Sequence, residues 1–243
     1  VFCVVCLCVV EAGSDGPLRI HPDNPRYFMD GSGKAVLLAG SHTWPNLVDI
    51  GPADPPPAFD FDAYLVFLKK HGHNFTRGWA WEPTKWDTTH LGAWANAYHT
   101  VAPQPWARTG QEAGLDGKPK FNLEQFNEEF FERLKTRVAK AQEQGIYLSV
   151  MLFEGYCVQF LPESWINHPF NAANNVNGID VPYTAEDDDE HPCLHSMMLP
   201  DVLARQEAYV QKVIDAVNDL DNVLYEIINE GGATVWQIHM IDL

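Results

Sequence analysis

The 243 residues carry 16 Lys and Arg against 33 Asp and Glu, a formal net charge of -17, and 46% of them are hydrophobic. That is enough apolar material for one α/β domain with a sizeable core, and the negative charge repels phosphate, which argues against nucleic acid or an anionic membrane as a partner. Eight Trp, eight Tyr and thirteen Phe suit a neutral ligand such as a sugar, whose ring faces stack on flat apolar side chains, although each aromatic taken singly is equally a core residue.

Val1 to Val10 form an apolar run followed by Glu11-Ala12-Gly13. The run is too short to span a bilayer and has the length and small-residue exit of a signal-peptide h-region. Residues 1–13 are therefore expected to be a signal remnant, with a buried strand as the alternative, and 14–243 a domain that is secreted or held in the cell envelope. Cys3, Cys6 and Cys8 lie inside this run without a nearby His or acid, so they carry no metal reading. Without them Cys157 and Cys193 remain, compatible with one disulfide or with two buried thiols.

Leu18-Arg19-Ile20 and Arg26 to Met29 flank a Pro-Asp-Asn-Pro turn and predict a short hairpin, followed by a buried strand over Ala35 to Gly40. Phe59 to His71 predicts a helix capped by Asp60 or Asp62, with Tyr64, Phe67 and Leu68 inward and Gly72 at its exit. Asn74 to Trp79 is the next strand. After a long loop, Phe126, Phe130, Leu134, Val138 and Ala141 recur at helical spacing in a helix that begins near Asn122 and stops at Gly145. Ile146 to Phe153 reads as an apolar strand, Val202 to Leu220 as an amphipathic helix, Val223 to Ile228 as a strand, and Thr234 to Leu243 as the opening of another helix.

The order strand, helix, strand, helix, strand, helix, strand predicts parallel pairing, and strands apolar on both faces predict a covered sheet. No G-x-G-x-x-G turn and no G-x-x-x-x-G-K motif occurs, so no nucleotide cofactor is expected, and no other cofactor is called for. The expectation is an α/β fold of the (β/α)8 TIM-barrel type, with about the first four βα units present behind the hairpin. In such a barrel chemistry sits where strands end. There the chain places His42 and Trp44, then Arg77 with Trp79, Trp81 and Glu82, then Glu154 with Tyr156, then Asn229 and Glu230. Each alone has a structural explanation; their shared position raises the catalytic one.

With Asn229-Glu230 after the fourth strand, Arg77 within Asn74 to Trp79, and the N-terminal hairpin, residues 18–243 resemble clan A of the glycoside hydrolases, the retaining β/α-barrel enzymes that include the cellulase-like family five. The stretch Trp165 to Phe170 looks like a loop particular to one subfamily. The resemblance implies Glu230 as general acid/base, Asn229 as the partner of the sugar 2-hydroxyl, and Arg77 as support for a nucleophilic carboxylate. It implies an oligosaccharide or polysaccharide substrate, with His42, Trp44, Trp79, Trp81, Glu154 and Tyr156 lining the cleft. The family carries its nucleophile after a seventh strand, which this sequence lacks, so these residues alone are expected to be inactive while the complete enzyme cleaves β-linked sugars with retention. Two alternatives stand beside it: a non-catalytic carbohydrate-binding or scaffold protein, and a metal-dependent hydrolase built on Asp187 to His195, a segment without an H-E-x-x-H pattern.

Overall fold

A computed structural model describes residues 16–87, 98–160, 162–184 and 188–243. The expected signal remnant, its three cysteines and Asp187 lie outside the described residues. The N-terminal hairpin is present: β1 (Arg19–Ile20) pairs antiparallel with β2 (Phe28–Met29), and β3 (Ala35–Val36) adds to the other side of β2. Asp30 shapes the second turn, its Oδ1 accepting the backbone N–H groups of Ser32 and Lys34 at 3.0 Å each.

The buried strand expected over Ala35 to Gly40 does not form. Ala35 and Val36 go to the hairpin, Leu37 is 75% exposed, and only Gly40 touches the central sheet, through a parallel bridge to Phe75. That approach requires glycine, since a Cβ at position 40 would stand 1.7 Å from the Phe75 carbonyl oxygen.

After β4 (Asp49–Gly51) comes α1 (Phe61–Lys70), capped by Asp60, whose carboxylate accepts the Ala63 N–H at 2.9 Å, with Lys69 and Lys70 favourably placed at its C-terminal end. Its buried face is Phe61, Leu65 and Leu68, spaced i, i+4, i+7. Phe67 points outward, 47% exposed.

β5 (Phe75–Gly78) is the first strand of the central sheet. The stretch expected to be a long loop after it is instead antiparallel structure: β6 (Lys85–Asp87) and β7 (Tyr98–Ala102) join β4 in the order β4-β7-β6, and β8 (Trp106–Ala113) pairs with β9 (Pro119–Phe126). Strand β9 occupies the residues expected to open the next helix, so α2 (Glu128–Glu143) starts later, where Asn127 accepts the Glu129 N–H. Phe130, Leu134, Val138 and Ala141 are buried along it as their spacing requires.

β10 (Tyr147–Glu154) is buried at every residue. Short helices α3 (Tyr156–Phe160) and α4 (Pro162–Trp165) follow, then α5 (Pro200–Val217), β11 (Val223–Asn229) and α6 (Thr234–Ile241). β10 lies between β5 and β11 and is parallel to both. Asn222 joins this sheet to α2, its Nδ2 donating to the carbonyls of Val138 (3.1 Å) and Ile146 (2.9 Å).

The TIM-barrel expectation is therefore corrected. The described residues form three parallel strands in an open sheet, beside three separate antiparallel sheets. Alternating strands and helices dictate parallel pairing, but closure needs more strands than are present, and the connections are themselves sheet. β11 is an edge: none of its residues is fully buried and Tyr225 is 40% exposed. Cys157 and Cys193 are free, buried thiols. Among the described residues no helix is long and apolar enough to cross a membrane.

The observed register of α1 separates two neighbouring residues. Leu68→Ala, at a fully buried position, should cost about 2–5 kcal/mol, whereas Phe67→Ala should cost under about 1 kcal/mol. Urea unfolding of both variants checks this, and a larger loss at Phe67 would refute the register.

Candidate functional site

Glu154 and Asn229 are directly paired at the C-terminal ends of β10 and β11, while Arg77 stands opposite Ser149, further back in the sheet, and extends its side chain toward them. Arg77 reaches past Met151 to β11 and binds Glu226 in a two-pronged ion pair: Nε donates to Oε2 at 2.8 Å and Nη2 to Oε1. The same Nη2 donates to Asn229 Oδ1 at 3.0 Å. This fork geometry is specific to a guanidinium. Trp79 lies with its ring centre 4.7 Å from the Arg77 guanidinium carbon, and His42 stacks on Trp79 at 5.1 Å, with 14° between planes. Partial desolvation lowers the His42 pKa, the Arg77 charge lowers it further, and Glu226 opposes both.

Past Asn229 the chain turns through three consecutive left-handed residues, Glu230 (φ 52°), Gly231 (φ 101°) and Gly232 (φ 80°). Among the described residues Glu230 is the one non-glycine with positive φ. Such a conformation costs on the order of 1–3 kcal/mol and persists only when its surroundings impose it. Here Gln237 of α6 donates its Nε2 to the carbonyls of Gly231 (3.0 Å) and Gly232 (2.8 Å), and the Ala233 N–H donates to the His195 carbonyl at 2.9 Å. Gly155 donates its N–H to the Asn229 carbonyl, and a Cβ there would stand 1.9 Å from the Glu230 carbonyl oxygen.

The turn opens onto a cleft of about 220 Å³ lined by Trp44, Trp79, Trp81 and Trp86 together with Glu154, Tyr156, Asn229 and Glu230. Trp81 packs on Trp86 at 4.5 Å, and Trp44 meets Trp86 edge-on at 4.8 Å. The Trp79 indole N–H is buried without an acceptor among the described residues. Glu230 is exposed, and its carboxylate makes no hydrogen bond among the described residues.

Glu154 is different: fully buried, it accepts the N–H groups of Tyr156 and Cys157, both at 3.0 Å. Burial pushes its carboxyl up to about 7; the bonds from Cys157 and Tyr156 pull the other way, and the nearby Glu82 charge reinforces burial. Cys157 is raised well above its ordinary value, by burial first and by Glu154 second. Glu82 accepts the Glu154 N–H at 2.8 Å and is met by His195 Nε2 at 3.0 Å and His168 Nε2 at 3.2 Å. Burial would raise Glu82, but His195 and His168 hold it at about 2. His168 Nδ1 accepts the Phe170 N–H, so its proton sits on Nε2, pointing at Glu82.

The structure thus gathers Arg77, Trp44, Trp79, Trp81, Glu154, Tyr156, Asn229 and Glu230 around one end of the sheet, with His42 behind Trp79. Sequence reasoning missed Glu226, His168, Gln237 and Gly155. Glu226 left a signal, a lone charge inside the apolar run Val223 to Ile228. The two histidines of the segments proposed for metal binding have different partners, His191 bonding Asp188 at 2.9 Å and His195 turning inward to Glu82. Among the described residues no group of three His, Cys, Asp or Glu is arranged to hold a metal ion.

The two buried carboxyls give stability opposite pH dependences. Glu82, lowered from 4.5 to about 2, contributes above pH 4.5 and loses its contribution as pH falls through 2. Glu154, raised from 4.5 to about 7, is fully accommodated below pH 4.5 and loses that advantage as pH rises through 7, a change of order 3 kcal/mol. Glu154→Gln should therefore flatten the decline in stability between pH 4.5 and 7. Urea midpoints at the two pH values test it, and an unchanged pH slope would show that Glu154 titrates normally.

A family model described as a domain of unknown function, DUF6298, matches residues 89–236. No curated protein matches the chain. Among solved structures it is similar to a Bacteroides vulgatus ATCC 8482 protein provisionally named a glycoside hydrolase, with 12% identity, a TM-score of 0.43, and 88% of this chain covering 38% of that one. It is similar also to the endo-1,4-β-mannanase of Rhizomucor miehei, with 13% identity, a TM-score of 0.29, and 88% of this chain covering 59% of that one. The chain spans less than two thirds of either structure, and likeness at these TM-scores assigns no activity. The family match covers more than half of the chain, and the chain belongs to the DUF6298 family.

Proposed function

We propose that this domain acts on β-linked oligosaccharides or polysaccharides and supplies the acid/base side of a retaining glycoside hydrolase site, in a protein exported from the cytoplasm. The observation that carries the reading is Glu230: an exposed, unengaged carboxyl on a strained left-handed turn, opening with Asn229 onto a cleft lined by four tryptophans. Strain of this kind is retained where it aims a group. The flat indoles offer faces on which sugar rings can stack. Glu230 would protonate the leaving glycosidic oxygen and then take a proton from the attacking water.

Arg77 has a double role in this reading. It occupies Asn229 Oδ1, which leaves the Asn229 Nδ2 group to donate to a sugar hydroxyl, and it neutralises Glu226. Glu226 is clamped and Glu154 is buried against two N–H groups, so neither is poised as a nucleophile. In this reading the nucleophile is a carboxylate other than these two.

Glu230→Gln in the complete protein should lower turnover of substrates with poor leaving groups by about 10²–10⁴, while activated aryl glycosides keep a measurable first step. Steady-state and pre-steady-state kinetics on both substrate types read this out. Equal turnover by mutant and wild type would remove Glu230 from the mechanism, and wild-type binding without cleavage would favour a carbohydrate-binding role.

Arg77→Lys keeps the charge and loses the fork. Losing one charge-assisted hydrogen bond costs about 1.5–3 kcal/mol, so kcat should fall roughly ten- to a hundredfold with a smaller change in KM. A raised KM at constant kcat would make Arg77 a ground-state binding residue.

A further inference from the structure

A second cavity lies apart from the tryptophan cleft. It encloses about 510 Å³ against the β4-β7-β6 sheet and the β8–β9 hairpin, and it shares no lining residue with the cleft. It nevertheless adjoins it through β6, where Lys85 lines the cavity and the next residue, Trp86, lines the cleft. Neighbouring residues of a strand face opposite sides.

Its lining is built of charges that already answer one another. Arg133 bonds Asp49 at 2.6 Å, Lys118 bonds Asp54 at 2.6 Å, and Arg108 makes a two-pronged pair with Asp116. Arg108 is fixed further by the Pro119 carbonyl at 2.7 Å and by the Phe121 ring, 3.9 Å from its guanidinium carbon. The lining sets four cations, Lys85, Arg108, Lys118 and Arg133, against four carboxylates, Asp49, Asp54, Asp116 and Glu129, so a phosphate or carboxylate ligand would add unbalanced negative charge and meet only Lys85 outside an ion pair among the described residues. An apolar ligand would strip water from all of them without replacing its hydrogen bonds.

Two further groups bear on what fits. Lys85 has no ion-pair partner among the described residues, and Gln104 is buried with its Oε1 lacking a donor. A neutral polyhydroxyl ligand suits this lining: its hydroxyls donate to the outer lone pairs of the aspartates and accept from Lys85 and the paired cations. The volume lies in the ordinary range for ligand sites, about 300–1,000 Å³. We infer that this cavity is a second saccharide-binding site on the far side of β6 from the tryptophan cleft. The class of glycan it takes rests on the carbohydrate reading of the cleft.

The experiment uses the complete protein carrying Glu230→Gln, so that ligand is not consumed, titrated calorimetrically with hexasaccharides of β-1,4-linked glucose, mannose and xylose. The expected result is two sites for at least one of these sugars. Adding Lys85→Ala and Lys118→Ala should weaken one site at least tenfold and leave the other unchanged. In the background with Glu230 intact, the same pair of changes should leave turnover of a small aryl glycoside unaltered. Circular dichroism and the unfolding midpoint confirm that the variant is folded. Should it fail to fold, Gln104→Glu replaces it, since a charge beside Asp49 and Asp116 should abolish the same site. One site untouched by these changes, displacement from the second site by inorganic phosphate, or no binding of any of the three sugars would overturn the inference. Binding at the cavity alone would uphold it while removing the function proposed for the cleft.

Discussion

The arrangement of the site depends on one part-buried carboxylate. Glu82 receives a backbone N–H from the end of β10, an imidazole from the loop after α4 and an imidazole from the loop before α5. An ionised carboxylate away from water is costly unless its lone pairs are filled, and here three donors from three segments fill them. Because all three are buried with it, removing Glu82 would strand two imidazoles and an amide. The loops bearing Trp81, Glu154 with Tyr156, and His195 are therefore held as a unit, although little regular structure joins them.

His195 extends that unit to the proposed catalytic turn. Its ring binds Glu82 while its carbonyl accepts the Ala233 N–H, so the end of the Glu230-Gly231-Gly232 turn is anchored to the same centre. Gln237 holds the turn from α6, and Gly155 leaves room for the Glu230 carbonyl. Three elements distant in sequence thus impose a conformation that Glu230 would not adopt on its own. What results is a carboxyl group fixed at the backbone yet free at its tip.

The elements that sequence patterning located well are those governed by local periodicity. α1, α5, β5, β10 and β11 lie where spacing of apolar residues and caps such as Asp60 put them. The errors came where two patterns coexist. Phe126 continues the i, i+4 series of α2, but it belongs to β9 and packs on Phe131 from outside the helix at 5.3 Å. The stretch from Lys85 to Phe126 looked like a loop because β6 is only three residues long, β8 and β9 are polar on their open faces, and prolines stand between them. Closure into a barrel was a global inference from a local alternation, and no local signal distinguishes an open three-stranded sheet from part of a closed one. At the site, strand-end reasoning brought Arg77, Glu154, Asn229 and Glu230 together correctly in space. It could not foresee that Glu154 would be buried, or that Glu82 would turn inward to two histidines from unrelated loops.

Burial separates the carboxyls of the site into distinct electrostatic roles. Glu82 is ionised throughout the neutral range because His195 and His168 surround it, and its charge is one reason the adjacent Glu154 resists ionisation. Glu226 is held in the two-pronged pair with Arg77. Glu154 is the one whose charge changes near neutral pH, and its two oxygens are already engaged by the Tyr156 and Cys157 N–H groups. Glu230 differs from all three in that the surrounding protein neither pairs with its carboxyl nor encloses it. Its place at the rim of an indole-lined cleft is what carries the proposal that the cleft takes a neutral sugar.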